Sequence, residues 1–540
     1  MHAFRSPAPI VELHAAFPRP FDNAVATART CYSRRLVAEE DVASDPAKRD
    51  DLARSIYAAG HHTTLQHAHF QFAVANVSRQ LVWSLLHSHP FYNSEQVSQR
   101  YVEVHAGGFA VPPLEGEALA AYERCVARQM DDYHRLTELC LPPVESAYHA
   151  RFPGRRKGDA GGASGAGGAG GAGDAGGGKG GRDVRRRAQE VARYVLPVAT
   201  FAHMYHTVSG ITLLRLWRMC QQPDAAAEAR LVVGRMVEEL LRHDPGYRAI
   251  LEEPLPEEET LEATTLGGLG ALGCGPAPAR ADDFCREFDE SLDGLTSRLV
   301  GRKAENEALV AQAVREVLGQ PRAALADAAA LALVLDPARN RYHAESMNVA
   351  TLSKLMRALH HASYTFRKRL SHSADSQDQR HRMTPASRPI LAAHLRDAPD
   401  VVRPGLLRHA GGGALACFDE SVKRTWEAIG ALRRLGVDPD LAAYLLPNAA
   451  VLRFSESADL LNLQHKLRAR LCYNAQEEIW RASLDEARQI AAVEPTIGRF
   501  LLPPCSLRAL GGIRPPCPEG DRYCGVAVWK LARERYERVI

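Results

Sequence analysis

The chain has 540 residues, a formal net charge of +3 and a hydrophobic fraction of 46%. This length predicts two or more domains, and the near balance of charge does not indicate nucleic-acid binding. No apolar run approaches the roughly 20 residues of a membrane helix, and the N-terminus carries no apolar signal core, so we expect a cytoplasmic protein that neither enters membranes nor is exported. Eleven scattered cysteines indicate a reducing compartment rather than a disulfide scaffold.

The predicted elements are mostly helical. Alternation and aromatic residues predict one strand over His67–Val77. Apolar residues at spacings of three and four predict helices over Leu119–Leu141, Leu231–Leu241, Glu305–Leu318, Met347–His361, Ser421–Leu435 and Leu460–Ile490.

Two segments interrupt this pattern. The glycine-rich stretch 158–181 cannot bury apolar surface and is expected to be a flexible surface insertion. The stretch 252–282 is rich in proline and glycine and is expected to be a linker. The domains are therefore predicted at 1–251 and 283–540.

The two halves carry repeated segments. Tyr194–Pro197 (YVLP) matches Tyr444–Pro447 (YLLP), and a glutamate follows 31 residues after each proline, at Glu228 and Glu478. Further upstream, Ser94–Tyr101 aligns with a segment about 280 residues later. A period this long indicates a duplicated domain rather than a solenoid.

The segment Ser94–Tyr101 (SEQVSQRY) concentrates hydroxyl, amide and guanidinium groups. An arginine offers a planar donor fork that matches phosphate oxygens, and a serine adds a short donor, so this composition favours a phosphorylated ligand. Its aligned partner is Ala374–His381 (ADSQDQRH).

Basic residues cluster between Arg367 and Arg382 in the second half, interleaved with serine, glutamine and aspartate. A solvated basic surface is the alternative interpretation, since runs of charge usually face water. The mixture of residue types, and the alignment with Ser94–Tyr101, favour an anion site. RNA binding ranks last, because no aromatic side chains are interleaved with these arginines.

Histidines cluster before and after the predicted strand, in the segment Gly60–Phe70 and at His87 and His89. A zinc site is one interpretation. However, the spacing matches no standard metal motif, and no paired cysteine or carboxylate completes it. Helix capping and polar packing explain some of these histidines, and the others are candidates to orient a planar cofactor.

Three cysteines lie near the end of the sequence, at Cys505, Cys517 and Cys524. A structural metal would need a fourth ligand, which the spacing does not identify, so structural or incidental thiols are favoured. No metal site is predicted.

The sequence resembles the flavin-dependent thymidylate synthases, whose signature RHRxxSxNExSxRY follows a GHxTxxxHxxFxF segment. Gly60–Phe72 resembles the earlier segment, and Glu95 with Ser98-x-Arg100-Tyr101 resembles the end of the signature. His87-Ser88-His89 stands where the family has RHR, and the second half offers Arg367-Lys368-Arg369 in that place.

A C-terminal family helix, NxRSLxxFLxLRxxxxAQxEI, resembles Leu460–Ile479 (LLNLQHKLRARLCYNAQEEI). Arg470 and Glu478 occupy family positions in this helix. The arginine of NxRS falls on Leu461 here and on Ile211 in the first half. Each half therefore lacks part of the family pattern.

The resemblance implies an α+β fold, with two tandem copies of a mostly helical domain that carries a small antiparallel sheet, arranged as a pseudo-dimer. It implies a homodimer that forms a pseudo-tetramer, because the family builds its sites between subunits. It also implies methylation of dUMP with methylene-tetrahydrofolate, FAD and NADPH. The alternative is a catalytically degenerate flavin- or nucleotide-binding homologue with a regulatory or structural role.

The implied site residues divide by ligand. Those expected to bind dUMP are Glu95, Ser98, Arg100 and Arg380. Those expected to bind FAD are His61, Thr63, His87, His89, Arg367, Arg369, His381 and Arg382.

Overall fold

Two four-stranded antiparallel sheets organise the chain, one in each half. The computed structural model describes residues 4–105, 107–153, 179–268, 279–538 and 540. Most of the predicted glycine-rich insertion therefore lies outside the described residues.

The strand order is the same in both sheets. In the first sheet it is β1-β2-β4-β3, and in the second it is β5-β6-β8-β7. This shared topology confirms the duplication and the α+β class. The strands are β1 (Ile10–Ala16), β2 (His69–Ser78), β3 (Tyr92–Gln96), β4 (Phe201–Ser209), β5 (Ser297–Arg302), β6 (Ser363–Ser371), β7 (Ala386–Ser387) and β8 (Val451–Asp459).

Helices cover the sheets and connect them. In the first half they are Pro20–Thr30, Glu39–Ala43, Pro46–Ala58, Arg79–His87, Gly116–Arg151, Lys179–Ala192, Gly210–Arg218 and Ala226–His243. Between the halves they are Leu261–Gly268 and Ala279–Ser291. In the second half they are Asn306–Leu318, Asp327–Leu335, His372–Asp378, Leu391–His394, Gly412–Arg434, Pro439–Ala442, Leu460–Arg470, Glu477–Val493, Pro495–Gly498 and Pro504–Leu510.

Most predicted elements are confirmed, and two are corrected. The predicted strand is β2, at His69–Ser78. The helix predicted over Met347–His361 is wrong, because that segment forms short 3₁₀ turns, and the Ser353 side chain accepts a hydrogen bond from a backbone N–H within them. The helix predicted over Leu460–Ile490 is two helices, with a break after Arg470.

A buried carboxylate joins the first half to the second. The Glu228 side chain accepts hydrogen bonds from the backbone N–H (2.7 Å) and hydroxyl (2.5 Å) of Ser78, at the end of β2. It also accepts one from the Tyr444 hydroxyl of the second half, at 2.8 Å. All three residues are buried, so this carboxylate is satisfied only when the two halves meet.

The reciprocal contact exists on the other side. Glu478 accepts from the backbone N–H (2.5 Å) and hydroxyl (2.6 Å) of Ser371. It also accepts from the Tyr194 hydroxyl of the first half, at 2.5 Å. Tyr194 and Tyr444 therefore make equivalent contacts related by a pseudo-two-fold axis, as in an isologous dimer interface.

The backbone follows the same symmetry. Pro197 and Pro447, from the repeated YVLP and YLLP segments, form an antiparallel bridge. The long helices Gly116–Arg151 and Gly412–Arg434 pack against each other, and one hydrophobic core runs through both halves beneath them. Among the described residues, no helix is long and apolar enough to cross a membrane.

We expect Tyr194→Phe and Tyr444→Phe each to destabilise the protein by about 1–3 kcal/mol, because each leaves a buried carboxylate short of one donor. The measurement is the shift of the thermal unfolding midpoint. Tyr205→Phe is the matched control, since half of the Tyr205 side chain is exposed. Equal midpoints for all three variants would show that the reciprocal contact contributes nothing.

Candidate active site between the two halves

The structure corrects the alignment of the two halves. Ser78 and Ser371 occupy equivalent positions, since each caps the helix that follows β2 or β6 and each binds the equivalent glutamate. They are 293 residues apart, and the same offset places Arg380-His381-Arg382 opposite His87-Ser88-His89. The RHR sequence therefore lies at 380–382, and Arg367–Arg369 lies on β6 instead.

Arg100 reaches from the first half to the second. Its Nε donates to Glu190 Oε2 at 2.7 Å, and its Nη2 donates to the backbone oxygen of Asn474 at 2.9 Å. Ser98 lies beside it, with its hydroxyl accepting the backbone N–H of Arg100 at 3.3 Å. Both predicted residues are thus at the junction of the halves, where Arg100 also borders a cavity of about 610 Å³.

Arg470 lies on the second-half side of this junction. Its Nε donates to His381 Nε2 at 2.9 Å, and its Nη2 donates to the Gln377 backbone oxygen at 2.6 Å. His381 therefore accepts as a neutral imidazole, and burial lowers its pKa well below the usual range. Burial also lowers the pKa of Arg470 to about 10, with the nearby positive charges of Arg100 and Arg380 acting in the same direction.

Two further arginines are buried here without full pairing. Arg193 makes no hydrogen bond through Nη2, and Arg79 makes none through Nε or Nη1. Burial lowers both pKa values, that of Arg79 to about 10, and each is lowered further by a neighbouring arginine. A buried guanidinium with free N–H groups is costly unless an anion pairs with it, so these side chains fit a phosphate-bearing ligand.

The RHR segment faces the first sheet. Arg380 Nη2 lies 2.7 Å from both carboxylate oxygens of Glu95. Arg382 donates to Asn93 and lies over the Tyr92 ring. Arg380, Arg382 and Glu95 line a cavity of about 380 Å³ together with other polar residues of the first sheet.

The predicted histidine contacts are more dispersed. His61 and Thr63 are exposed, next to His62, whose Nδ1 accepts from Arg215. His89 and Arg215 line a third cavity, of about 390 Å³. His87 packs on Trp83, and burial lowers its pKa, like that of His89, to about 4. The imidazoles of His87 and His89 are therefore neutral at neutral pH.

Arg367 and Arg369 are engaged elsewhere. Arg367 stacks on the Phe288 ring, and Arg369 forms ion pairs with Asp289 and Asp400. Neither contact involves a residue of the first half. The structure therefore brings together Glu95, Ser98, Arg100, Arg380, His381 and Arg382, and leaves these two arginines outside that group.

Buried charges support the second-half side of the junction. Lys368 Nζ lies 3.0 Å from Asp378, 2.9 Å from Glu456 and 2.8 Å from Glu486. Lys466 pairs with Asp378 at 2.8 Å and also with Glu456. All five are essentially inaccessible, and Asp378 ends the helix that leads into Arg380. This cluster therefore fixes the position of the RHR segment.

Comparison with known proteins agrees with this architecture. The family model for thymidylate synthase complementing protein matches residues 12–246 and 298–496. A flavin-dependent thymidylate synthase of Geobacter sulfurreducens is 32% identical over 227 residues, which cover 40% of this chain and 94% of that protein. One of Clostridium tetani is 24% identical over 238 residues, covering 44% and 84%.

Among solved structures, a UMP/dUMP methylase, PolB from Streptomyces cacaoi bound with 5-Br dUMP, aligns over 46% of this chain and 99% of its own, with 19% identity and a TM-score of 0.32. The two stretches that the family model matches lie one in each half, so each half corresponds to one family domain. The chain belongs to the thymidylate synthase complementing protein family, as a tandem duplication.

The variant Arg193→Met tests whether the incompletely paired buried arginines bind phosphate. Inorganic phosphate at about ten times its Kd should stabilise the wild type by roughly 1.4 kcal/mol through linkage. We expect this stabilisation to be lost in Arg193→Met, while the unliganded variant melts at or above the wild-type temperature, because no buried donors are left unpaired. Differential scanning fluorimetry with and without phosphate measures both effects. Exposed Arg128→Met is the control, and an undiminished phosphate effect in Arg193→Met would remove Arg193 from the site.

Lys368→Met should destabilise the protein by about 3–5 kcal/mol, because it removes the cation from buried Glu486 and leaves Asp378 and Glu456 with Lys466 alone. Thermal unfolding measures the change. Lys354→Met, at an exposed position, should have little effect. A Lys368→Met midpoint equal to that of the control would show that the ionic cluster does not hold this region.

Proposed function

We propose that the protein is an FAD-dependent thymidylate synthase with one composite nucleotide site per chain. It would convert dUMP to dTMP with methylene-tetrahydrofolate and NADPH. The first half contributes Ser98, Arg100 and Arg193, and the second half contributes Arg380 and Arg470.

The observation that carries this proposal is complementary loss at the two pseudo-symmetric junctions. Under the offset of 250 residues that relates Tyr194 to Tyr444, Arg470 corresponds to Cys220 and Arg193 to Ala443. Under the offset of 293 residues that relates Ser78 to Ser371, Arg380 corresponds to His87 in the first half. One junction therefore keeps its arginines and the mirror-related junction has lost them, which fits a single live anion site.

The geometry suggests how the chain's own groups act on dUMP. Arg100 and Arg193 would pair with the phosphate, and the Ser98 hydroxyl would be a further donor. Arg470 is held by His381 and Gln377, so its position is fixed before substrate binds. A fixed cation beside the uracil ring would stabilise negative charge that develops there.

FAD would be held near Arg382 and Glu95, where the cavity has polar walls and a basic rim that suit a phosphate-bearing cofactor. Bound FAD would supply the reducing equivalents for the transferred carbon. His61, Thr63, His87 and His89 remain candidate cofactor contacts. A homodimer would bring the exposed His61 and Thr63 of one copy against a second copy.

A degenerate nucleotide- or flavin-binding protein is the second candidate. It is favoured by Ile211 and Leu461, which stand in place of the NxRS arginine and are both buried. No side-chain movement restores a charge at either position.

Tritium release from 5-labelled dUMP, dependent on NADPH and methylene-tetrahydrofolate, distinguishes the two candidates. We expect release by the wild type. Bound flavin without release under any of these conditions would establish the degenerate binder instead.

Arg100→Ala should raise the KM for dUMP about 10- to 150-fold, because a charge-assisted hydrogen bond contributes about 1.5–3 kcal/mol. Arg470→Ala should lower kcat as well. Cys220→Ser is the matched control, since it changes the position equivalent to Arg470 at the mirror-related junction, and its KM should not change. An unchanged KM in Arg100→Ala would exclude that residue from phosphate binding.

A further inference from the structure

Four cysteines from distant parts of the second half meet at one place. Cys472 follows the helix Leu460–Arg470, Cys505 lies in the first turn of Pro504–Leu510, and Cys517 and Cys524 lie in the irregular segment after it. All four line one small cavity, whose other walls are prolines, valines and tyrosines together with Asn474 and Glu519. Cys472 thus joins the three C-terminal cysteines that stand out in the sequence.

This cluster is separate from the duplicated family architecture. The second family match ends at residue 496, so three of the cysteines lie in a segment beyond it. The fourth, Cys472, corresponds to Gln222 in the first half under the 250-residue offset. The first half thus has no counterpart of this cluster.

The four thiols are free and are half-buried or buried around this cavity. The Cys524 thiol donates to the backbone oxygen of Val526 at 3.6 Å. Metals bind the thiolate form, so ligation would replace the thiol protons.

The arrangement discriminates between metals. A tetrahedral zinc with Zn–S bonds of about 2.3 Å requires sulfurs roughly 3.8 Å apart. Yet no group of three or more histidine, cysteine or acidic side chains in the described part of the chain is arranged to hold one metal ion. An iron–sulfur cluster spreads its ligands, because each cysteine binds a different iron.

We propose that Cys472, Cys505, Cys517 and Cys524 ligate a [4Fe–4S] cluster. Ligation forms four Fe–Sγ bonds and releases four thiol protons, and the cysteine sulfurs keep their oxidation state. The preformed cluster is transferred from a donor protein, whose four Fe–thiolate bonds break and whose thiolates take up the released protons. The cavity measures about 20 Å³, so the cluster must push its walls apart. The loop with Cys517 and Cys524 contains only a 3₁₀ turn, Gly520–Arg522, and has few backbone bonds to prevent this.

The cluster would be structural and would shape the neighbouring site. Asn474, Glu519 and Tyr523 line both the cysteine cavity and the larger cavity that Arg100 borders. The backbone oxygen of Asn474, two residues after Cys472, accepts the Arg100 hydrogen bond. Ligation at Cys472 would thus anchor the wall against which Arg100 is held.

The full chain, purified without oxygen, is the sample for the test. We expect about four iron and four acid-labile sulfide per chain, measured chemically so that bound flavin does not interfere. Cys472→Ser and Cys517→Ser should each lose most of the iron. Cys31→Ser, an exposed thiol, and Cys140→Ser, a buried thiol in the first half, should keep it.

Two results would overturn the assignment. One is a single zinc per chain with no iron. The other is wild-type protein that remains free of iron after anaerobic reconstitution with ferrous iron and sulfide. Because both are read on wild-type protein, a variant that fails to fold does not affect them, and neither depends on whether the chain methylates dUMP.

Discussion

The reciprocal contact between serine, glutamate and tyrosine is the constraint on which the arrangement depends. Each glutamate is buried, and each needs a tyrosine hydroxyl from the opposite half in addition to the serine of its own half. The serines also cap the helices that lead to residues 87–89 and 380–382. The contact that joins the halves therefore also sets where the RHR segment faces its partner.

Fusion of two copies into one chain allows the two equivalent junctions to carry different residues. In a homodimer, a substitution alters both equivalent junctions at once. In a tandem chain the two junctions vary independently, so Arg470 can remain at one while Cys220 stands at the other. The same freedom explains the buried charges of the second half: Lys466 and Glu486 correspond to Leu216 and Met236 of the first half, where an apolar core is sufficient.

Local patterns were enough to predict β2, most of the long helices and the duplication. They also predicted Ser98, Arg100 and Arg380 as site residues, because several chemical groups cluster around each of them in the sequence. They failed where similar residues do not occupy equivalent structural positions. Ser94–Tyr101 resembles Ala374–His381, 280 residues later, but the helix caps at Ser78 and Ser371 show that the two halves are offset by 293 residues in this region. Arg79, Arg193 and Cys472 were not predicted, because each is a single residue that only the fold brings to a proposed site, next to partners distant in sequence.

The two halves contribute charge in different ways. In the second half, burial acts to raise the pKa of Asp378, but Lys368 and Lys466 hold it well below its usual range, so the carboxylate stays ionised inside the core. That fixed charge stabilises the nearby guanidinium of Arg470. In the first half, Glu190 acts to raise the pKa of Arg193, but Arg193 and Arg79 keep buried N–H groups without a hydrogen-bond partner. Under the proposed function, the second half would provide a preorganised wall and the first half the incompletely paired guanidinium groups, so binding energy would be gained mainly where the ligand's phosphate meets the first half.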